Sequence, residues 1–183
     1  MNEPNAMGPI HLGFLTVFQE GTGYLGGYLI TNSWGRPIEF RLSTAVQPNR
    51  VQHILYGSTL QEYLCADLIG KTLIDKSATP IQLLLTDSLG VLPIRSRLDI
   101  PVIAIVPQDD PAVTFLPEER IARFKDERSS VPLLYDPRVA GDEEHIRALF
   151  ERLDSTFDLS EPFSRIREAM TEARKMGATS RAA

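Results

Sequence analysis

The stretch Ile10–Thr44, IHLGFLTVFQEGTGYLGGYLITNSWGRPIEFRLST, holds three extended segments separated only by turn residues. In the first, four of the five even positions from Ile10 to Phe18 are apolar, Thr16 being the exception. In the third, Ile38, Phe40 and Leu42 alternate with Glu39, Arg41 and Ser43. A period of two marks a strand with one buried face, so each of these strands is expected to keep its other face wet. The middle segment, Tyr24 to Asn32, is apolar or aromatic on both faces and carries Gly26 and Gly27. That suits a central strand closely approached by another element. Gly21-Thr22-Gly23 and Asn32-Ser33-Trp34-Gly35-Arg36-Pro37 supply the reversals, since Gly and Asn tolerate positive φ. The expectation is a three-stranded antiparallel meander whose apolar side is covered by a helix.

Downstream, Pro48 opens a short helix with Val51, Ile54 and Leu55 on one side, and Gly57 stops it. Ser58 and Gln61 have capping-box spacing. Leu60, Leu64, Cys65, Leu68, Ile69 and Leu73 then keep a helical period through Asp75, which predicts a helix over 58–75 lying on the sheet. Ile81 to Leu85 reads as an interior strand, Ile94 to Ile100 as an edge strand with Arg95 and Arg97 outward, and Pro101 to Val106 as another buried strand. Residues 111–130 read as loop, with a short helix starting at Pro117, and Val131 to Tyr135 as a strand ended by Asp136-Pro137. Two amphipathic helices close the chain. Asp142 caps the first, with Ile146, Leu149, Phe150 and Leu153 as its stripe. Ser160 caps the second, lined by Phe163, Ile166, Met170 and Ala173 and stopped by Gly177. The fold class is α+β: a flexible 1–8, a globular body over 9–138, a C-terminal helical hairpin or arm over 139–177, and a disordered tail over 178–183.

The chain of 183 residues carries a net charge of −5, with 43% hydrophobic and 23% charged residues, ordinary values for a globular protein. Fifteen charges fall in residues 1–100 and 28 in the remaining 83, so the second part is the more solvated. The acidic balance argues against nucleic acid as a partner held by bulk electrostatics. Cys65 is the only cysteine, so no intrachain disulfide forms, and its apolar neighbours make it a small core hydrophobe. The longest aliphatic run is Val102 to Val106, too short to span a membrane. With no targeting segment at the N-terminus, cytoplasmic residence is expected.

Several motifs match known patterns in letters only. Gly21-Thr22-Gly23-Tyr24-Leu25-Gly26 has the spacing of the dinucleotide fingerprint, but strand-like residues follow it where a helix is required. Gly70-Lys71-Thr72 lies inside a helical pattern, not in a phosphate-binding loop. His11, His53 and His145 have no Cys or carboxylate at ligand spacing, so no metal site is read from them. No serine sits in a nucleophile elbow.

Three antiparallel strands, a helix, then a strand ending in Thr86-Asp87-Ser88 resembles the opening of the ribonuclease H fold. Metal-binding carboxylates in that fold come from the first strand, the first helix and the end of the fourth strand. The resemblance implies Glu62 or Asp67 as the helix acid, Asp87 as the fourth-strand acid and Mg²⁺ as the cofactor. The first strand has no interior Asp and offers only Glu20 at its end. This alternative is a ribonuclease H-like metal-dependent nuclease or phosphoesterase, in intact or degenerate form, using Glu20, Glu62 and Asp87.

The surface reading is different. Trp34 and Arg36 with Arg41, Asn49 and Arg50 have the composition of an interaction hot spot, and Tyr24 and Tyr28 lie near the turns. In a blander arrangement Trp34 folds onto the core and Arg36 or Arg41 pairs with Glu39. Arg41 and Arg50 could alternatively hold a small anion. Without a catalytic set, the residues read as a non-enzymatic, soluble interaction or adaptor protein with a protein partner or self-association and no cofactor.

Overall fold

The structure, a computed structural model, describes residues 8–107, 109–114 and 118–177. Its sheet has seven strands in the order β3-β2-β1-β4-β5-β7-β6. These are β1 (His11–Glu20), β2 (Gly23–Asn32), β3 (Pro37–Leu42), β4 (Leu83–Thr86), β5 (Val102–Ala104), β6 (Ala122–Phe124) and β7 (Leu133–Tyr135). The meander read from Ile10–Thr44 is present, with β1 and β2 antiparallel from His11↔Asn32 to Glu20↔Gly23. β4 joins the other edge of β1 in parallel, from Leu12↔Leu83 to Leu15↔Thr86, and β5 joins β4 in parallel. The sheet is therefore mixed, within the α+β class. Among the described residues no helix is long and apolar enough to cross a membrane.

Placing β4 beside β1 puts β1 in the middle of the sheet, where six of its ten residues are buried. The expectation of a wet face on β1 is corrected by this topology. On one side Leu12, Phe14, Leu29, Leu83, Leu85 and Ile103 pack against α5 (Asp142–Phe150) and α6 (Glu161–Lys175). Phe14 meets Phe163 edge-on, ring centroids 5.5 Å apart. On the other side Leu15, Val17, Ile30 and Leu84 pack against a helical run made of α2 (Leu60–Glu62), a π-helical segment (Tyr63–Gly70) and α3 (Lys71–Asp75). Helices thus cover both faces of one sheet, the arrangement that buries a sheet apolar on both sides.

The two adjacent glycines of β2 make both contacts possible. A Cβ on Gly26 would lie 2.3 Å from Cγ2 of Ile69, and one on Gly27 would lie 2.4 Å from Cγ2 of Ile166. Successive strand residues face opposite sides, so Gly26 admits the π-helical segment and Gly27 admits α6. Close approach at these glycines was legible in the sequence.

Other expectations are corrected. β3 is an edge strand, and Ile38 and Phe40 on it are 45% and 39% exposed. α1 (Arg50–Tyr56) packs none of its apolar stripe: Val51, Ile54 and Leu55 are all exposed. Asn49, not Ser58, forms a capping box, with Gln52, because Ser58 lies in a 3₁₀ turn that runs on from α1. Ile94–Ile100 is no edge strand: Leu89–Arg97 is a 3₁₀ helix that buries Val91 and Ile94. Arg95, expected in solvent, forms a two-pronged ion pair with Asp142 at 2.6 and 2.9 Å, both side chains largely buried. Asp142 is thereby taken from the capping role, which falls to Gly141 at φ +86°, and Ser160 makes no side-chain cap. Residues 122–124, expected in a loop, add β6 to the sheet. The predictions of a flexible 1–8, a helix start at Pro117 and a disordered 178–183 fall on residues outside the described set, apart from Gly8.

Glu39 fastens the exposed β3 to the start of the β4 arm. Burial alone raises its pKa, but hydrogen bonds from Arg41, Ser77, Thr79 and Ala78 outweigh that and bring it from the ordinary 4.5 to about 2. A lowered carboxylate pKa stabilises above its unfolded value and loses that effect as pH falls. Stability measured by urea midpoint should therefore fall between pH 4.5 and about 2, and Glu39→Gln should flatten that limb. Gly26→Ala should cost about 1–3 kcal/mol by overpacking against Ile69, read from the same urea curves.

Candidate functional site

Ligands of open α/β sheets bind beyond the carboxyl ends of parallel strands. In this chain those ends belong to β1 and β4, and a cleft of about 350 Å³ opens there. Its charged lining is Glu62, Asp87, Asp110, Arg120, Asp136 and Arg138. The volume lies within the range of small-molecule sites, about 300–1,000 Å³. Glu62 arrives on α2, immediately before the π-helical segment, whose wider turns set how the helix is phased over the sheet. Asp87 is the first residue after β4, and Val17 of β1 forms the floor.

Most of these acids have a cation beside them. Asp136 pairs with Arg138 at 2.5 Å. Arg138, and Arg120 more weakly, hold its carboxyl below its ordinary value against the effect of burial. Arg138 also feels the charge of Glu62. Asp87 pairs with Arg167 of α6, Nη1 to Oδ2 2.5 Å, its side chain 14% exposed against 48% for the arginine. Its other oxygen, Oδ1, is buried and has no hydrogen-bond partner among the described residues. The β1–β4 pairing ends at Leu15↔Thr86, and Thr16 and Asp87 are the next residues of the two strands. Thr16 is fully buried, and its hydroxyl too has no partner among the described residues.

Of the three acids read from the sequence, Glu62 and Asp87 share this cleft and Glu20 does not. Glu20 ends β1, pairs with Arg174 and borders a separate shallow recess by the β1–β2 turn. At about 3.3 Å per strand residue, the four residues from Thr16 put it roughly 13 Å away. Asp67 is held by Arg97 at 2.6 Å and is not in the cleft lining.

The surface candidates disperse. Trp34 is 75% exposed at the β2–β3 turn, not folded onto the core. Arg36 and Arg50 are exposed, and Arg41 pairs with Glu39 at 2.6 Å. Tyr28 is a core residue whose phenol is pushed up by burial, and Tyr24 is half-buried in a bridge to Val46. None of these residues lines the cleft.

Sequence reasoning missed Thr16, Arg120, Arg138 and Arg167. A threonine in a strand is an ordinary β-former, and arginines on loops and on the wet side of a helix carry no pattern. Position after a strand end was the available signal, and it found Asp87.

No protein-family model matches the sequence, and no curated protein matches it. Solved structures do. Endonuclease V from Bacillus subtilis is similar with a TM-score of 0.52 at 12% identity, over 95% of this chain and 85% of that one. The catalytic domain of human Endonuclease V gives 0.52 at 12% identity, over 93% and 85%. Endonuclease V from Streptomyces avermitilis gives 0.51 at 14% identity, over 94% and 85%. The likeness is one of fold, and it corrects the expectation of a non-enzymatic adaptor with a protein partner and no nucleic acid. That expectation rested on net charge and on the lack of a sequence motif. Net charge bears on bulk attraction and not on what a fold holds in its cleft.

The donors present differ from the metal-binding set that the ribonuclease H resemblance implies. Among the described residues no group of three His, Cys, Asp or Glu side chains is placed to hold an ion. Thr16, the β1 residue just past the last rung with β4, carries a neutral hydroxyl, and the charge of Asp87 is already met by Arg167. The residues do not fit a divalent metal pair. A buried hydroxyl without a partner costs about 1–3 kcal/mol, so Thr16→Val should raise the urea midpoint. A lower midpoint would mean that the hydroxyl is satisfied.

Proposed function

We propose that this chain binds nucleic acid in the cleft at the carboxyl ends of β1 and β4, as a ribonuclease H-like nuclease or phosphoesterase relative in degenerate form. The observation that carries the reading is the likeness of fold to three Endonuclease V structures, at TM-scores of 0.51–0.52 over more than nine-tenths of the chain. Asp87 and Glu62 supply the second support, since both line the cleft on the elements from which that fold draws its acids. Arg120 and Arg138, set among four acids, are the cations of the cleft lining and the groups there that would meet a phosphate. With the donor set short of a carboxylate, the cleft binds and does not hydrolyse.

Fluorescence anisotropy with labelled single- and double-stranded DNA and RNA tests this. Binding should weaken with salt, and Arg120→Ala or Arg138→Ala should each reduce the salt slope by about 1. No binding to any of the four at low salt would overturn the reading. Hydrolysis stimulated by Mg²⁺ or Mn²⁺ and lost in Asp87→Asn would replace the degenerate form with an active one.

A further inference from the structure

The charge balance at Asp87 is an internal one. A carboxylate with 14% of its side chain exposed is stabilised by a neighbouring cation, and the chain provides it from α6 through the Nη1 of Arg167. Just past the last β1–β4 rung, Thr16 offers only an uncharged oxygen. Thr16 Oγ1 and Asp87 Oδ1 are both buried and have no hydrogen-bond partner among the described residues.

We propose that Arg167 stands in for a divalent cation at Asp87. Together with Thr16 it makes the end of the β1–β4 pair independent of a metal. Thr16 brings no negative charge that would help hold a divalent ion. Arg167 meets the charge of Asp87 at Oδ2. Arg167 is thus a positioning residue, fixing the Asp87 side chain and tying α6 to the end of β4.

Because this role is assigned on the nuclease-type reading of the cleft, it is tested without nucleic acid, so that the two can fail separately. In the wild-type chain the Tm should be the same in EDTA and in Mg²⁺, and Mn²⁺ followed by electron paramagnetic resonance should show no bound ion sensitive to Asp87→Asn. Arg167→Ala should lower the Tm, Arg167→Lys should retain most of it, and Asp87→Asn/Arg167→Ala should recover part of the loss by removing the uncompensated charge. Thr16→Asp/Arg167→Ala should bind Mn²⁺ and gain Tm from it. Should that double variant not fold, the Arg167→Ala and Asp87→Asn/Arg167→Ala comparison decides. The proposal is overturned by Mn²⁺ bound at Asp87 in the wild-type chain, by an unchanged Tm in Arg167→Ala, or by a folded double variant that ignores Mn²⁺.

Discussion

The parallel pairing of β1 with β4, four rungs from Leu12↔Leu83 to Leu15↔Thr86, is the constraint on which the rest of the molecule depends. It converts a meander into a sheet with an interior, and an interior strand must be apolar on both faces. Both sides of β1 then need a cover, and the chain supplies two different ones. The helical run from Leu60 to Asp75 takes one face, and α5 with α6 takes the other. The same pairing brings the ends of β1 and β4 together, so the cleft and its acids are a by-product of how the core is closed.

That coupling explains why fold and site are separable here. Packing on both faces is satisfied by Leu12, Phe14, Leu15 and Val17 whatever stands at position 16, provided it is small and buried. The residue beside Asp87 is therefore free to change its chemistry without disturbing the layers. An arginine can reach Asp87 because α6 is already held against the sheet by Phe163, Ile166 and Met170. Arg95 and Asp142 show the same economy on the 3₁₀ helix, where a buried pair fixes Leu89–Arg97 against the start of α5.

Much of the fold was legible because apolar periodicity and turn residues are local signals. The meander follows from period-two alternation, β4, β5 and β7 from short apolar runs, and both closing helices from apolar stripes at helical spacing. Ile94–Ile100 misled because a 3₁₀ helix and a short strand can present the same few alternating apolar residues, and only the burial of Arg95 against Asp142 distinguishes them. Ile38, Phe40 and the α1 stripe misled in the other direction: apolar pattern was taken for burial, yet these residues sit at a sheet edge and on a helix with no neighbour layer. At the site, Glu62 and Asp87 could be read from element order. The parts that decide its chemistry, Thr16 and Arg167, are 151 positions apart in sequence, and no local pattern joins them.

The exposed position of Trp34 has a practical bearing on how this molecule is observed. It is the sole tryptophan, and with three-quarters of its surface in water on the β2–β3 turn its indole already emits from a solvated environment in the native state. Intrinsic fluorescence excited at the indole would therefore register little of the collapse or loss of either apolar layer. Far-ultraviolet circular dichroism reports the seven-stranded sheet and its flanking helices directly, and is the optical signal that tracks the cooperative unit.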